Sequence, residues 1–259
     1  MRNLSTIGRR IAADRNNLTK FLTVTQVSQI RMACRVFSTV KTNQQCSIFC
    51  TEMNDRTNAI PPHLAPQRGE LIMFGNNRLL ERLSRIRPGT VLAVFVPMAG
   101  LAFYLSLRSG QSTVASAGLF LCGAAFWTLF EYFFHRFVFH FEPRGDFQTR
   151  LQFVMHGVHH QYPHDKDRLV MPITVSIPLA LLLFALFKLL LGSAAWGFFS
   201  GFIAGYLGYD MMHYAIHHAK GFKSPVLSRF RNHHLAHHFR DTRLGFGVSS
   251  PFWDMVFRT

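Results

Sequence analysis

Charge is scarce in this sequence, and acid is scarcer still. Charged residues make up 16% of the 259 positions, against roughly a quarter in a typical soluble domain. Thirteen Asp and Glu face 28 Lys and Arg, for a formal net charge of +15. Between Arg15 and Thr51 there is no acid at all. So little charge is a poor basis for a fully water-exposed surface. The basic excess invites a nucleic-acid reading, but the basic residues form no recognisable binding motif, so no nucleic-acid partner is expected. The four cysteines, Cys34, Cys46, Cys50 and Cys122, form no C-x-x-C pair. That argues against a disulfide framework and against a cysteine-ligated metal. The Glu-x-x-His pairs of soluble di-iron bundles are missing as well.

What is present is apolar. Hydrophobic residues reach 49%, and Phe alone contributes 27. Four runs carry almost no charge: residues 89–107, 114–134, 172–191 and 194–212. A membrane-spanning helix needs about 20 apolar residues, with a range of roughly 17 to 25. Short connections join the first run to the second and the third to the fourth, so two helical hairpins are expected. Arginines and lysines flank the runs before residue 88, between the hairpins and after the fourth run, while the two tight turns hold one Arg, Arg108. The positive-inside rule then puts both ends of the chain and the central loop in the cytoplasm. Gly201, Gly205 and Gly208 in the fourth run suit close helix packing in lipid.

Residues 1–75 look different: basic, rich in Ser, Thr, Asn and Gln, and without a spanning run. A targeting segment, a disordered tail and an upstream extension before Met73 all fit that composition. Residues 76–259 form the expected membrane domain. It opens with a segment that places Leu79, Leu80, Leu83 and Ile86 at helical spacing among arginines, the pattern of a helix lying on a membrane surface.

Ten of the fourteen histidines fall in four boxes beside the ends of the runs. They are His135 and His140; His156, His159 and His160; His213 and His217; and His234, His237 and His238. Spacings of three and four put imidazoles on one helix face. The five-residue step from His135 to His140 does not, so that helix is expected to end or bend between them. All four boxes would lie on the cytoplasmic side. Imidazole is the commonest protein ligand for metals such as iron and zinc. Ten nitrogens exceed one ion's coordination shell, so two ions are expected. Glu131 and Asp210 each sit one turn before a boxed histidine, placed to orient its ring. His164, His218 and His233 are expected as supporting or surface groups, and His63 as uninvolved. Arg168 and Lys166 are expected as loop charges that set topology, with a grip on a substrate carboxylate or phosphate as the lesser alternative.

The order H-x-x-x-x-H, H-x-x-H-H, H-x-x-x-H, H-x-x-H-H resembles the fatty acid hydroxylase superfamily of membrane-bound di-iron oxygenases. Phe-Glu-Tyr before the first box, Arg168-Leu-Val-Met-Pro172 after the second, and Tyr209-Asp210 before His213-Tyr214 resemble its fatty acid 2-hydroxylases. So does the ending, with Gly245-Phe-Gly-Val248, Trp253-Asp254 and Phe257-Arg-Thr259. The resemblance covers about residues 119–259. It implies an all-α membrane protein, with four transmembrane helices in two hairpins and a cytoplasmic helical cap carrying an all-histidine dimetal site. It implies the ten boxed histidines as ligands of two iron ions, sites that zinc can also occupy, and dioxygen as co-substrate. The implied reaction is hydroxylation at carbon 2 of the acyl chain of a fatty acid or ceramide, drawn from the lipid bilayer. The sequence resembles the shorter members without an amino-terminal cytochrome b-type domain, which implies a separate electron donor, a cytochrome or ferredoxin. Endoplasmic reticulum in a eukaryote, or inner membrane in a bacterium, is the implied location. Sterol or carotenoid oxidation at a similar site, a zinc hydrolase, and a non-redox metal-binding membrane protein are the competing readings.

Overall fold

The computed structural model describes residues 60, 64–67, 71–75, 77–219 and 224–259. All of them belong to one compact unit, Ala59–Thr259. The targeting or disordered segment expected over the first residues, like His63, lies outside the described residues. The compact unit begins earlier than the expected boundary near residue 75. Leu64 is buried, the Gln67 amide donates to the Gln161 carbonyl (2.5 Å), and the Leu71 carbonyl accepts from Arg168 (2.7 Å).

The described residues are helical or irregular. A short helix α1 (Arg78–Ser84) is capped by the Asn77 side chain on the Leu80 amide. It leaves Leu79, Leu80 and Leu83 exposed and Ile86 buried just beyond it. Helix α2 (Pro88–Arg108) starts on a proline, which loses nothing by lacking an N–H in the first turn. Helix α3 (Thr113–Phe134) starts from the Ser112 cap. The Ser106 and Ser116 hydroxyls hydrogen-bond (2.9 Å) near the turn, and Phe103 meets Phe120 further along, so α2 and α3 run antiparallel.

Among the described residues, three helical segments are long and apolar enough to cross a membrane: Pro88–Arg108, Thr113–Phe139 and Ile173–His218. The third is broken at Gly192, whose φ of 57° favours glycine. Helix α6 (Ile173–Leu191) precedes the break and α7 (Ala195–His218) follows it. Phe184 packs on Trp196 beside the break, and Ser176 and Ala180 share a cavity with Ile203 and Tyr206 further from it, so α7 folds back along α6. Helix α7 is the central post. Its Ser200 hydroxyl donates to the Ala99 carbonyl of α2 (2.8 Å).

Against α3 the approach is closer still. A Cβ on Gly201 would stand 1.8 Å from the Phe120 carbonyl oxygen, and one on Gly123 would stand 1.9 Å from that of Phe198. Gly205 has no room beside Trp127, whereas Gly208 faces open space. Of the three glycines expected at a helix contact, two are there and Gly208 is not. Helix α7 also runs to His218, further than the expected end at 212. Its 24 residues span about 36 Å at 1.5 Å each. That is longer than a hydrocarbon core of about 30 Å, and His213 and His217 lie in the last turns.

Beyond α3 and α7 lie the shorter helices: α4 (Asp146–Gln152), α5 (Val158–Gln161), α8 (Pro225–Phe239) and α9 (Phe252–Phe257). Arg168 is a correction to the expected loop charge. Its side chain is 2% exposed, paired with Asp165 (2.7 Å) and Glu81, and bonded to the Leu71 carbonyl. It ties α1 to the loop after the second box and is not free to meet a lipid. Lys166 is exposed.

Candidate metal centre

Two of the boxes are shaped by π-helical turns. At the end of α3 the chain widens over His135–Phe139, and the His140 amide donates to the His135 carbonyl (3.1 Å), a five-residue step. The helix then stops at His140. The expected end between the two histidines is there, but a wider turn rather than a bend brings both rings to one side. A second π turn, Phe153–Gly157, joins α4 to α5 and carries His156. Gly157 lets Leu64 pack close, since a Cβ there would meet its methyl at 3.3 Å. The third box ends α7 and the fourth ends α8.

The ten imidazoles form two groups of five. One holds His135, His140, His156, His160 and His237; the other holds His159, His213, His217, His234 and His238. Within each group one nitrogen per ring lies within 4.8 Å of all the others. The partition follows helix geometry. In each H-x-x-H-H box the first and last rings share a face and serve one group, while the middle ring points into the other. The two boxes therefore interlock, and the His160 and His238 rings stack between the groups at 4.0 Å.

The nitrogens suit metal ions. In the first group the Nε2 atoms of His135 and His156 are 3.0 Å apart, of His156 and His160 3.1 Å, and of His140 and His237 3.0 Å. In the second, His159 to His213 is 2.8 Å, and His217 to His234 and His234 to His238 are both 3.0 Å. With metal–nitrogen bonds near 2.1 Å, neighbouring ligands stand about 3.0 Å apart in a six-coordinate shell and about 3.4 Å in a tetrahedral one.

Tautomers point the same way. His135 Nδ1 donates to the Phe246 carbonyl (2.5 Å) and His237 Nδ1 to the Leu244 carbonyl (2.7 Å), so the Nε2 of each presents a bare lone pair to the cluster. A metal ion would accept both lone pairs. Burial first, then neighbouring imidazoles, hold His156, His159, His160, His234 and His238 well below the usual histidine range. His237 is lowered by burial and by His135. These rings are neutral at pH 7, the form that binds metal.

The loop carrying those two carbonyls is the part that sequence reasoning missed. Gly245 takes φ 78°, and Gly247 has no room for a Cβ, which would meet the Ser250 carbonyl at 2.1 Å. Asp254 of α9 accepts from the Phe246 and Gly247 amides (both 2.8 Å) and from His233 (3.0 Å). Burial alone would raise its pKa; bonds from His233 and the two amides outweigh that and hold it below the usual carboxylate value. Glu131 accepts from the Val248 amide (2.6 Å), the Ser249 amide (2.9 Å) and the Ser249 hydroxyl. These bonds of Glu131 run to the loop rather than to an imidazole. Glu131 acts one step away, by fixing the loop that orients His135. Asp210 fits the expectation no better: its Oδ2 and His213 Nδ1 are both buried without a hydrogen-bond partner among the described residues. Of the unboxed histidines, His233 supports Asp254, His164 is exposed, and His218 packs at a tilt against Tyr214. None joins either group.

Beside the first group lies a cavity of about 50 Å³ between α2, α3, α6 and α7. Phe95, Phe130, Leu183 and Ile203 line it, and His135 and Glu131 stand in its wall.

Known proteins settle the lineage. A family model described as fatty acid hydroxylase matches residues 120–259. The chain belongs to the fatty acid hydroxylase family. The ceramide very long chain fatty acid hydroxylase SCS7 of Saccharomyces cerevisiae is 37% identical over 199 residues, covering 74% of this chain and 50% of that protein. The dihydroceramide fatty acyl 2-hydroxylase FAH1 of Arabidopsis thaliana is 35% identical, covering 65% of this chain and 71% of that one. A solved structure of full-length Scs7p, with only its hydroxylase domain visible, superposes with a TM-score of 0.67 at 37% identity, over 72% of this chain and 70% of that one. This hydroxylase-family chain thus spans about half the length of the yeast relative. The matched region contains the first box through the last and the Glu131–loop–Asp254 supports.

Proposed function

We propose that this chain hydroxylates carbon 2 of a long acyl chain, carried by a ceramide-type sphingolipid or a fatty acid, with dioxygen and two electrons. The observation that carries the reading is the convergence of two five-histidine groups beside an apolar cavity. The ten boxed histidines would hold two iron ions. Iron bound there would supply dioxygen activation and the oxidising power to break an unactivated C–H bond. The protein's part is placement and exclusion. Phe95, Phe130, Leu183 and Ile203 keep water from the cavity and receive apolar chain. His135, at once in the cavity wall and in the first group, marks where that chain would meet the oxidant.

The same reading gives four crossings, α2, α3, α6 and α7, in two hairpins, with the histidine end as a helical cap in the cytoplasm by the positive-inside rule. The membrane would be the endoplasmic reticulum in a eukaryote or the inner membrane in a bacterium. Electrons would come from a separate cytochrome or ferredoxin. Exposed Arg144, Arg150, Lys166, Arg229, Arg240 and Arg243 beyond the spans favour an acidic donor.

The test is a lipid profile of cells expressing the wild type or His237→Ala, with a donor supplied. The expected result is 2-hydroxy acyl sphingolipid in the first and none in the second. Iron-loaded wild type that yields no hydroxylated acyl lipid would sink the proposal, and an oxidised sterol would redirect it.

A further inference from the structure

The last helix has an unusual surface. In α9, Phe252, Met255, Val256 and Phe257 are 41–61% exposed, and Asp254 is its buried side chain. Four large apolar side chains facing water from one short helix would be an isolated liability on a soluble surface. Their neighbours indicate a different surrounding.

Trp253 Nε1 donates to the Thr128 hydroxyl (3.0 Å), and Thr128 is a half-buried residue of α3 flanked by exposed Ala125 and Phe126. Phe257 packs on Tyr132 (5.2 Å) and Phe133 (5.5 Å), and the Tyr132 and Thr259 hydroxyls bond (2.9 Å). Phe133 stacks in turn on Phe137, and both are exposed. Helix α9 therefore lies along the outer face of a membrane-spanning segment, Thr113–Phe139. Thr128 stands seven residues before His135, about 10 Å back along the helix at 1.5 Å per residue. Trp253 is thus level with apolar span rather than with the histidine end. Tryptophan at such a level, with one polar atom and an apolar body, is the usual membrane-boundary anchor.

We infer that α9 is an interfacial helix whose Phe252, Met255, Val256 and Phe257 side contacts lipid acyl chains. The exposed apolar face is continuous with that of α3, so the occupant is the bilayer that already surrounds α3. The single inward residue, Asp254, holds the loop whose carbonyls orient His135 and His237. Lipid contact and ligand orientation consequently share one short helix.

The test is site-directed spin labelling of the full chain in phosphatidylcholine vesicles, with Cys34, Cys46, Cys50 and Cys122 replaced by serine. Nitroxide at Met255→Cys is compared with Leu121→Cys on exposed α3 and Arg243→Cys on exposed loop. Collision with dioxygen and with a water-soluble nickel chelate is read at each position. A Met255 label that matches Leu121, open to dioxygen and closed to nickel, is the expected result. Nickel access like that of Arg243 overturns the inference, and so does shielding from both reagents, which would assign the face to a protein partner. Phe252→Cys repeats the reading at the other end of the helix, should the first variant fail to fold.

Discussion

Glu131 offers a sharp test of how the first histidine group is held. Its carboxylate accepts from two backbone amides and one hydroxyl of the 248–249 loop, and Val248 is buried. Glu131→Ala leaves both amides without an acceptor, at about 1–3 kcal/mol for each one that stays buried. The two together cost about 2–6 kcal/mol, which is enough to release the loop locally. Release takes the Phe246 carbonyl from His135 Nδ1, and losing such an outer partner lowers metal affinity about 10- to 100-fold. Glu131→Gln retains an oxygen for the two amides and should fall between the extremes. The assay is metal per chain, by elemental mass spectrometry, after dialysis against a chelator series. The alanine variant is expected to lose metal at a chelator concentration about 10- to 100-fold lower than the wild type. Wild-type retention in Glu131→Ala would refute the idea that this carboxylate acts on His135 through the loop.

Acid should weaken the fold as well as the site. Burial keeps six of the rings outside the spans, His156, His159, His160, His234, His237 and His238, from protonating in the folded state. The unfolded chain takes up protons on them below about pH 6.5, so it binds more protons and stability falls as pH drops through that value. Thermal unfolding in detergent at pH 7.5 and 5.5 should show a large drop, and a flat profile would contradict it. Gly201→Ala drives a methyl into the Phe120 carbonyl and should cost about 3 kcal/mol or more, the upper end for overpacking. Gly208→Ala faces open space and should leave the melting temperature unchanged or slightly raised. Arg168→Met strands the buried Asp165 carboxylate and should destabilise by about 3–5 kcal/mol, measured by denaturant unfolding.

The apolar runs and the boxes were legible in sequence because both are written in side-chain identity and period. The helices Pro88–Arg108 and Thr113–Phe134 coincide with the first two apolar runs to within a residue at each end. The break at Gly192 was legible too, as a short turn between two runs. What escaped was written in backbone. The ligand-orienting atoms on His135 and His237 are carbonyls of Phe246 and Leu244, and any residue carries a carbonyl. Glu131 and Asp210 each sit about one turn before a histidine, four and three residues back, yet it is Glu131 that bonds the 248–249 loop. Arg168 looked like a loop charge because its partner Glu81 is far away in the chain.

The π turn over His135–Phe139 bears on insertions and deletions. The first and third boxes play equivalent parts, each giving both its rings to one group, yet their spacings differ by one residue. H-x-x-x-x-H is H-x-x-x-H with a residue added, and the widened turn is where the addition is absorbed without re-phasing the flanking helix. A single-codon deletion at Val138 should therefore convert the turn to α-helix and the first box to the pattern of the third. His140 would stay on the facing side, and the irregular stretch before Asp146 would take up the slack. Few positions beside a buried histidine cluster would forgive a lost residue; this turn is built to be one of them.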